Sequence, residues 1–276
     1  MIGTREIVRR SRITVEYVIS AVKISCVVVC QLVVTEGWTA AIDEPIAGRA
    51  AVNHVLKDEP FKSTSSFYLN WISVDPDFDG SARGVLSLMT HRIFQANGIA
   101  AIDLPGFKSA DLDEIRFELV DSGPLVRGIE VHLEPTAINV LLMRLPMHDK
   151  FGYAPTPGSQ GLRVAGNVVV INTDAHRIGL QVDDAALAKT VVHEVGHYLG
   201  LSHTSESDGL QFDDIDDTAE CVIARDADHD GTLSPEECRG DGGSDNAMFW
   251  KSDEFTEIPI FTAGQLEVIR KSPLAW

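Results

Sequence analysis

Hydrophobic residues are arranged in two patterns along the chain, and each pattern predicts a different kind of element. Runs of branched apolar residues bounded by Gly, Pro, Asp or Ser predict strands of a sheet at 67–74, 115–120, 129–133, 138–145 and 168–172. Within 85–96, apolar residues recur at helical spacing, which indicates an amphipathic helix whose apolar side carries Leu86, Met89, Ile93 and Phe94. The predicted order is a strand, a helix and then further strands.

A second helix is predicted just before residue 200. Its apolar stripe consists of Ala188, Val192, Val195 and Leu199. Asp183 or Asp184 supplies the N-cap, and Gly200 ends the helix because glycine accepts the left-handed conformation that stops one. A last helix is predicted after Thr262, which forms a capping-box pattern with Gln265.

Residues 1–41 resemble a secretory signal peptide. Four arginines within the first twelve residues precede an uncharged, largely apolar run at 24–34, and small residues at 39–41 follow as a cleavage site. The run is too short to span a bilayer, which takes about twenty helical residues, so no transmembrane anchor is expected. The alternative is that this run forms a first strand or helix of the fold.

The rest of the chain is expected to form one unit with two lobes. Residues 42–64 are either a short propeptide or an N-terminal extension packed on the domain, and residues 65–276 form the domain itself. No internal repeat or long proline-rich linker occurs after residue 42.

Charge and cysteine content add to this picture. The 276 residues carry a net charge of −18. Residues 1–41 contain more basic than acidic side chains, so their removal leaves a more acidic protein. This charge argues against nucleic acid and anionic membrane surfaces as partners. Cys26 and Cys30 would leave with the signal peptide, so Cys221 and Cys238 remain as an even pair. An exported protein would join them in a disulfide, whereas a cytosolic protein would keep two reduced thiols.

Residues 193–203 have the spacing of a zinc site. His193 and His197 are four apart, so they share one face of the predicted helix and can point both imidazoles at a single ion, with Glu194 beside them. Beyond the turn at Gly200, His203 can return as a third ligand. Three protein ligands leave one position open for water, which distinguishes a catalytic zinc site from a structural one. Histidines placed only for packing are the alternative, but packing does not explain these offsets.

The metzincin metalloproteases share an extended zinc signature, which this chain matches at His193, Glu194, His197, Gly200 and His203. Met248, within residues 246–250, resembles the methionine of their Met-turn, a tight turn beneath the zinc. The resemblance implies an α/β (mixed α+β), metzincin-like fold with a twisted mixed sheet, an active-site helix and a smaller C-terminal lobe. Thr204 resembles pappalysin-like members and the Met-turn resembles matrixin-like members, so the subfamily stays open.

The resemblance also implies a secreted zinc endopeptidase that acts on protein or peptide substrates. Zinc held by the three histidines would carry a water, and Glu194 would be the general base. Some metzincins place a tyrosine two residues after the Met-turn methionine to help stabilise the oxyanion, and this chain has Trp250 there. Two alternatives are an exopeptidase on the same scaffold and a non-catalytic, calcium-dependent binding protein that retains a zinc site. No pattern predicts the oligomeric state.

In this family an edge strand lies along the active-site cleft and binds an extended peptide as an additional strand. The candidate for this rim is Gly152, Tyr153 and Ala154, because these residues precede a Pro/Gly-rich loop and the predicted strand at 168–172. An ordinary loop at these positions is the alternative.

A second metal site is predicted in the loop at 226–237, which matches the EF-hand calcium pattern. Gly231 makes the turn, and the oxygen ligands would come from Asp226, Asp228, Asp230, the Thr232 carbonyl and Glu237. A disulfide between Cys221 and Cys238 would bracket this loop and lower the entropy lost when calcium orders it. We expect calcium to be structural, holding the connection between His203 and Met248. A merely acidic, solvated loop is the alternative.

Overall fold

The computed structural model describes residues 64–276 apart from 77, 79, 107, 111–114, 121–122, 147, 149, 156–167 and 180. They belong to one unit, residues 60–276. The predicted signal peptide at 1–41, and all of the 42–64 segment except residue 64, lie outside the described residues, so both stay predictions. Among the described helices, none has the length and apolar character needed to cross a membrane.

The helices of the described residues are α1 (Gly80–Ala96), α2 (Asp184–Tyr198) and α3 (Ala263–Lys271). The strands are β1 (Ser65–Ser73), β2 (Ile99–Asp103), β3 (Lys108–Ser109), β4 (Arg116–Val120), β5 (Gly123–Arg127), β6 (Ile138–Met143), β7 (Gly152–Tyr153), β8 (Val169–Asn172), β9 (Arg177–Ile178) and β10 (Gln181–Val182). The main sheet has the order β2-β1-β6-β8-β7, with β3 also paired to β1. β2, β1, β6 and β8 run parallel, and only β7 is antiparallel to its neighbour. The prediction of a mixed α+β fold is confirmed.

Both faces of the central strands are buried, as parallel pairing requires. On one face, side chains such as Phe67, Val140 and Ile171 pack against α1 and α2. On the other face, Leu141 and Val170 pack with residues of the antiparallel hairpin β4–β5, including Val126. The strand predicted at 115–120 therefore exists, but it belongs to this hairpin and not to the main sheet.

The strand predicted at 129–133 is wrong, because Glu130–His132 forms a short 3-10 helix. Strand alternation would place residues 129 and 131 on the same face, yet Ile129 is fully buried and Val131 is 85% exposed. The carbonyl of His132 accepts hydrogen bonds from the side chains of Asn70 and Lys108. These contacts, distant in sequence, stabilise a turn that the local apolar pattern does not reveal.

Residues 201–262 form a segment with little regular structure. It contains 3-10 turns at Ile223–Arg225 and Gly240–Gly242. The predicted disulfide between Cys221 and Cys238, whose Cα atoms are 5.7 Å apart, cross-links two parts of this segment. The segment ends at α3, where Thr262 and Gln265 form the predicted capping box. The side chains of Gln265 and Asn246 exchange two amide hydrogen bonds, of 2.9 and 3.1 Å, which connect α3 to the predicted Met-turn.

Candidate metal centre

Helix α2 positions two of the three predicted ligands. Of the two predicted candidates, Asp183 is its N-cap, and the Asp183 side chain accepts hydrogen bonds from the backbone N–H groups of Ala185 and Ala186. The helix ends at Tyr198, and Gly200 has a φ of +110°, the left-handed region that favours glycine. This turn reverses the chain and brings His203 back toward the helix.

The three histidines converge on one point. The Nε2 atom of His193 lies 3.1 Å from the Nε2 atoms of both His197 and His203. A tetrahedral zinc ion with Zn–N bonds of 2.0–2.1 Å needs nitrogens about 3.3 Å apart. The spacing of the ligand atoms therefore fits zinc closely.

The opposite ring nitrogens are all hydrogen-bonded to oxygen. His193 Nδ1 lies 2.8 Å from the Ala247 carbonyl oxygen, and His197 Nδ1 lies 2.8 Å from that of Leu201. His203 Nδ1 lies 2.9 Å from Glu206 Oε1. Because carbonyl oxygens only accept, the Nδ1 atoms of His193 and His197 carry the protons, and their Nε2 atoms carry lone pairs.

Lone pairs that face one another at 3.1 Å repel unless a cation lies between them. Burial and the neighbouring imidazoles hold the pKa of His193 well below its usual value, and burial together with His203 lowers the pKa of His197 to about 4. Both rings are therefore neutral at pH 7, the form that binds a metal. The arrangement suits a divalent cation that prefers imidazole nitrogen, such as zinc.

The predicted Met-turn lies directly beneath α2. Met248 is fully buried, and its carbonyl oxygen accepts a hydrogen bond from the N–H of Thr204, the residue after His203. The preceding carbonyl, of Ala247, holds His193. One short segment therefore fixes the orientation of a ligand on the helix and the path of the chain at the third ligand, while the methionine side chain supplies the floor.

Gly196 makes this close approach possible. A Cβ atom at position 196 would lie 2.3 Å from Met248 Sδ, so Gly196→Ala is expected to destabilise the protein by about 1–2 kcal/mol, because overpacking outweighs the gain in helix propensity. Gly84→Ala is the matched control. In α1 that added Cβ would meet nothing within 4 Å, so this substitution should stabilise by about 0.5–1 kcal/mol. Chemical denaturation of both variants measures the difference, and equal effects would contradict the packing argument.

Glu194 faces the same cavity as the histidines. This cavity has a volume of about 600 Å³ and is lined by Glu194 and the three histidines, by Gly152, Tyr153 and Ala154, and by Trp250. Burial raises the pKa of Glu194 to about 8, while the positive charge of Lys150 acts in the opposite direction. A cation at the histidines would also favour the charged carboxylate.

The candidate substrate rim forms the end of the sheet. Gly152 and Tyr153 make up β7, which pairs with β8 on one side and is the last strand in the order of the described sheet. A Cβ atom on residue 152 would lie 2.6 Å from Glu194 Cγ, so only glycine lets the strand approach the carboxylate this closely. The structure therefore brings Gly152, Tyr153 and Ala154 to the candidate metal centre, and their role in binding substrate stays a prediction.

Sequence reasoning missed Glu206, which holds His203. Its position three residues after that ligand was the available signal, since a carboxylate often orients a metal-binding histidine. The hydrogen bond to His203 is the largest cause of the lowered pKa of Glu206.

Glu206→Gln is expected to weaken zinc binding by about 10–100-fold, because loss of the carboxylate reduces the basicity of the ligand. Competition with a chromogenic zinc chelator measures this affinity. Glu220→Gln, at an exposed site, is the control and should bind zinc as the unaltered chain does. Equal affinities in the two variants would contradict an orienting role for Glu206.

The predicted calcium ligands converge only in part. One carboxylate oxygen from each of Asp226, Asp228 and Glu237 lies within 4.8 Å of the other two. Asp230 is outside this group, and its Oδ1 accepts a hydrogen bond of 2.7 Å from the backbone N–H of Thr232. The loop thus brings three of its four predicted carboxylates together.

The chain is similar to several solved structures at low sequence identity. No protein-family model and no curated protein matches the chain. Among solved structures, archaemetzincin from Methanopyrus kandleri is 16% identical, with a TM-score of 0.34 over 75% of this chain and 88% of that one. Myroilysin is 12% identical, with a TM-score of 0.35 over 75% of this chain and 92% of that one.

Proposed function

We propose that this protein is a secreted, metzincin-like zinc endopeptidase. The observation that carries the proposal is the cavity in which three imidazole Nε2 atoms converge and a buried carboxyl group, that of Glu194, lies beside them. A site for structural zinc would have four protein ligands, whereas the described residues around this point supply a group of three. An open position next to a proton acceptor suits hydrolysis.

The residues divide the chemistry between them. His193, His197 and His203 would hold zinc, which when bound activates a water and polarises a carbonyl oxygen. Glu194 accepts a proton from the attacking water at its carboxylate and delivers it to the nitrogen of the leaving amine. The indole N–H of Trp250 donates to the Leu233 carbonyl at 2.9 Å, so it is not available to an oxyanion in the cavity. Met248 lies under the helix and takes no part in the reaction.

An extended peptide would bind along β7. As the last strand of the described sheet, β7 can pair with substrate backbone on the side away from β8. Pairing there would place the scissile carbonyl next to Glu194, because Gly152 lies against that carboxyl group. Backbone recognition of this kind requires an extended substrate segment and suits cleavage within a chain.

Export of the protein is part of the proposal. The disulfide between Cys221 and Cys238 is typical of proteins outside the cytoplasm, and the acidic composition disfavours nucleic acid as a partner. Detection of the mature chain, beginning near residue 42, in the medium of expressing cells would test this part.

The activity is tested with an internally quenched peptide library blocked at both ends. We expect zinc-loaded protein to cleave such peptides, with activity lost on chelation and restored by zinc. An exopeptidase would leave end-blocked peptides intact while trimming unblocked ones. A non-catalytic binding protein would cleave neither class, and that result would overturn the proposal.

A further inference from the structure

The loop at 226–237 lies in the connection between His203 and the Met-turn, apart from the zinc cavity. Its three converging carboxylates, on Asp226, Asp228 and Glu237, place three oxygen ligands within 4.8 Å of one another. Oxygen ligands alone suit a hard cation such as calcium and not zinc. Acidic clusters on a protein surface also occur without an ion.

Asp226 distinguishes this cluster from a solvated acidic loop. The residue is only 8% exposed, and its Oδ1 is buried without a hydrogen-bond partner among the described residues. The other oxygen, Oδ2, accepts a hydrogen bond of 2.9 Å from the N–H of Gly231. A buried carboxylate oxygen without a partner is costly, and a cation at the converging group would satisfy it.

The backbone of the loop holds the carboxylates around this point. Gly231, at the sixth position, has a φ of +82°, which permits the sharp turn. Glu237 closes the loop, because its carboxylate accepts hydrogen bonds from the N–H groups of Ala227 and Ser234 at 2.6 and 2.8 Å. Its Oε2 also accepts a hydrogen bond of 2.9 Å from the Ser234 hydroxyl, so the lone pair that Glu237 can offer to an ion is on Oε1.

Leu233, the eighth residue of the loop, connects it to the zinc cavity. Its side chain is fully buried with Phe249 and the Cys221–Cys238 disulfide. Its N–H donates to the Ser207 carbonyl at 2.7 Å, and its carbonyl accepts from Trp250 Nε1 at 2.9 Å. Ser207 and Trp250 both line the cavity.

We propose that residues 226–237 bind one calcium ion and that this ion, by ordering the loop around Leu233, fixes the Trp250 indole at the rim of the zinc cavity. The ion is bound by Asp226, Asp228 and Glu237. Occupancy of the calcium site thereby controls the shape of the wall of the zinc cavity. Calcium binding itself does not depend on the chain being a peptidase.

Calorimetric titration of the calcium-depleted full chain with calcium chloride tests the binding. We expect one ion per chain, with a dissociation constant of about 10⁻⁴ M, as in extracellular calcium modules. Asp226→Asn and Glu237→Gln should each weaken binding at least about tenfold, since each removes a charged ligand. Asp241→Asn, an exposed change just beyond the loop, is the matched control and should leave binding unchanged.

Asp226→Asn has a second expected effect that separates loss of a ligand from misfolding. Without calcium, this variant should melt no lower than the unaltered chain, because it removes a buried, uncompensated charge. With saturating calcium, only the unaltered chain should gain thermal stability. Several weak ions bound equally by all variants, or no binding in the millimolar range, would overturn the proposal.

The coupling is read from tryptophan fluorescence. Saturation with calcium should change the emission and lower the acrylamide quenching of the unaltered chain. Trp250→Phe should bind calcium with the same affinity but lose most of both changes, because neither of the other described tryptophans, Trp71 and Trp276, has such a bond to the loop. Equal changes in the two proteins would show that the ion does not act on Trp250 and would overturn the coupling.

Discussion

Replacement of Glu194 with glutamine is expected to abolish most peptide cleavage and leave zinc binding intact. The carboxyl group lies in the cavity beside the histidines but is not among the converging ligand atoms, so zinc should remain at one ion per chain. Glutamine keeps the shape of the side chain and cannot take up a proton, which removes the general base. General acid–base catalysis contributes about 10²–10⁴-fold, and kcat should fall by that factor.

Two measurements on the same sample test this expectation. Cleavage of the quenched peptide gives kcat and KM, and elemental analysis gives the zinc content. Glu267→Gln, a change at an exposed position of α3, is the matched control and should behave as the unaltered chain does. Undiminished cleavage by the Glu194 variant would remove Glu194 from the mechanism.

Removal of zinc is expected to lower the melting temperature substantially. The three ligands tie α2 to the chain after Gly200, and the Met-turn is held to both through the Ala247 and Met248 carbonyls. At a free zinc concentration of 1,000 times the dissociation constant, binding stabilises the folded state by about 4 kcal/mol. For a domain of this size, that corresponds to a change in Tm of about 8–16 °C.

The zinc-free protein should also be sensitive to acid. The pKa of His197 in the folded state is lowered to about 4 from an ordinary value of 6.5, so the unfolded state binds protons more readily over that range. Stability is therefore fully present above about pH 6.5 and is lost as the pH falls toward 4. Calorimetry with and without a chelator measures both effects.

His193→Ala is the control for zinc removal, because it lacks a ligand and its Tm should not respond to added zinc. A Tm of the unaltered chain that is the same with and without zinc would contradict a metal that links these elements.

The three histidines of the candidate metal centre could be grouped from sequence because their geometry is local. His193 and His197 share a face through helix periodicity alone, and Gly200 marks the turn that returns His203. The capping box at Thr262 was predictable from two residue types three positions apart, and the disulfide from the even pair of cysteines that remains in an exported chain. These features need no knowledge of tertiary packing.

The contacts that orient the ligands could not be read in the same way. The acceptors for His193 and His197 are backbone carbonyls, which every residue possesses, and only the folded chain selects those of Ala247 and Leu201. The strand prediction at 129–133 failed for a related reason, because distant side chains stabilise the turn there. The hydrogen bond from Trp250 to Leu233 likewise joins segments that no local pattern connects.

In the proposed site, three histidines hold one zinc ion and leave one position open. X-ray absorption spectroscopy of the zinc-loaded full chain tests it most directly, since the spectrum reports the number and kind of ligands. We expect three imidazole nitrogens and one oxygen at about 2.0–2.1 Å. His203→Ala should lose one nitrogen from that shell. A sulfur ligand, a fourth imidazole, or a shell unchanged in the His203 variant would contradict the site.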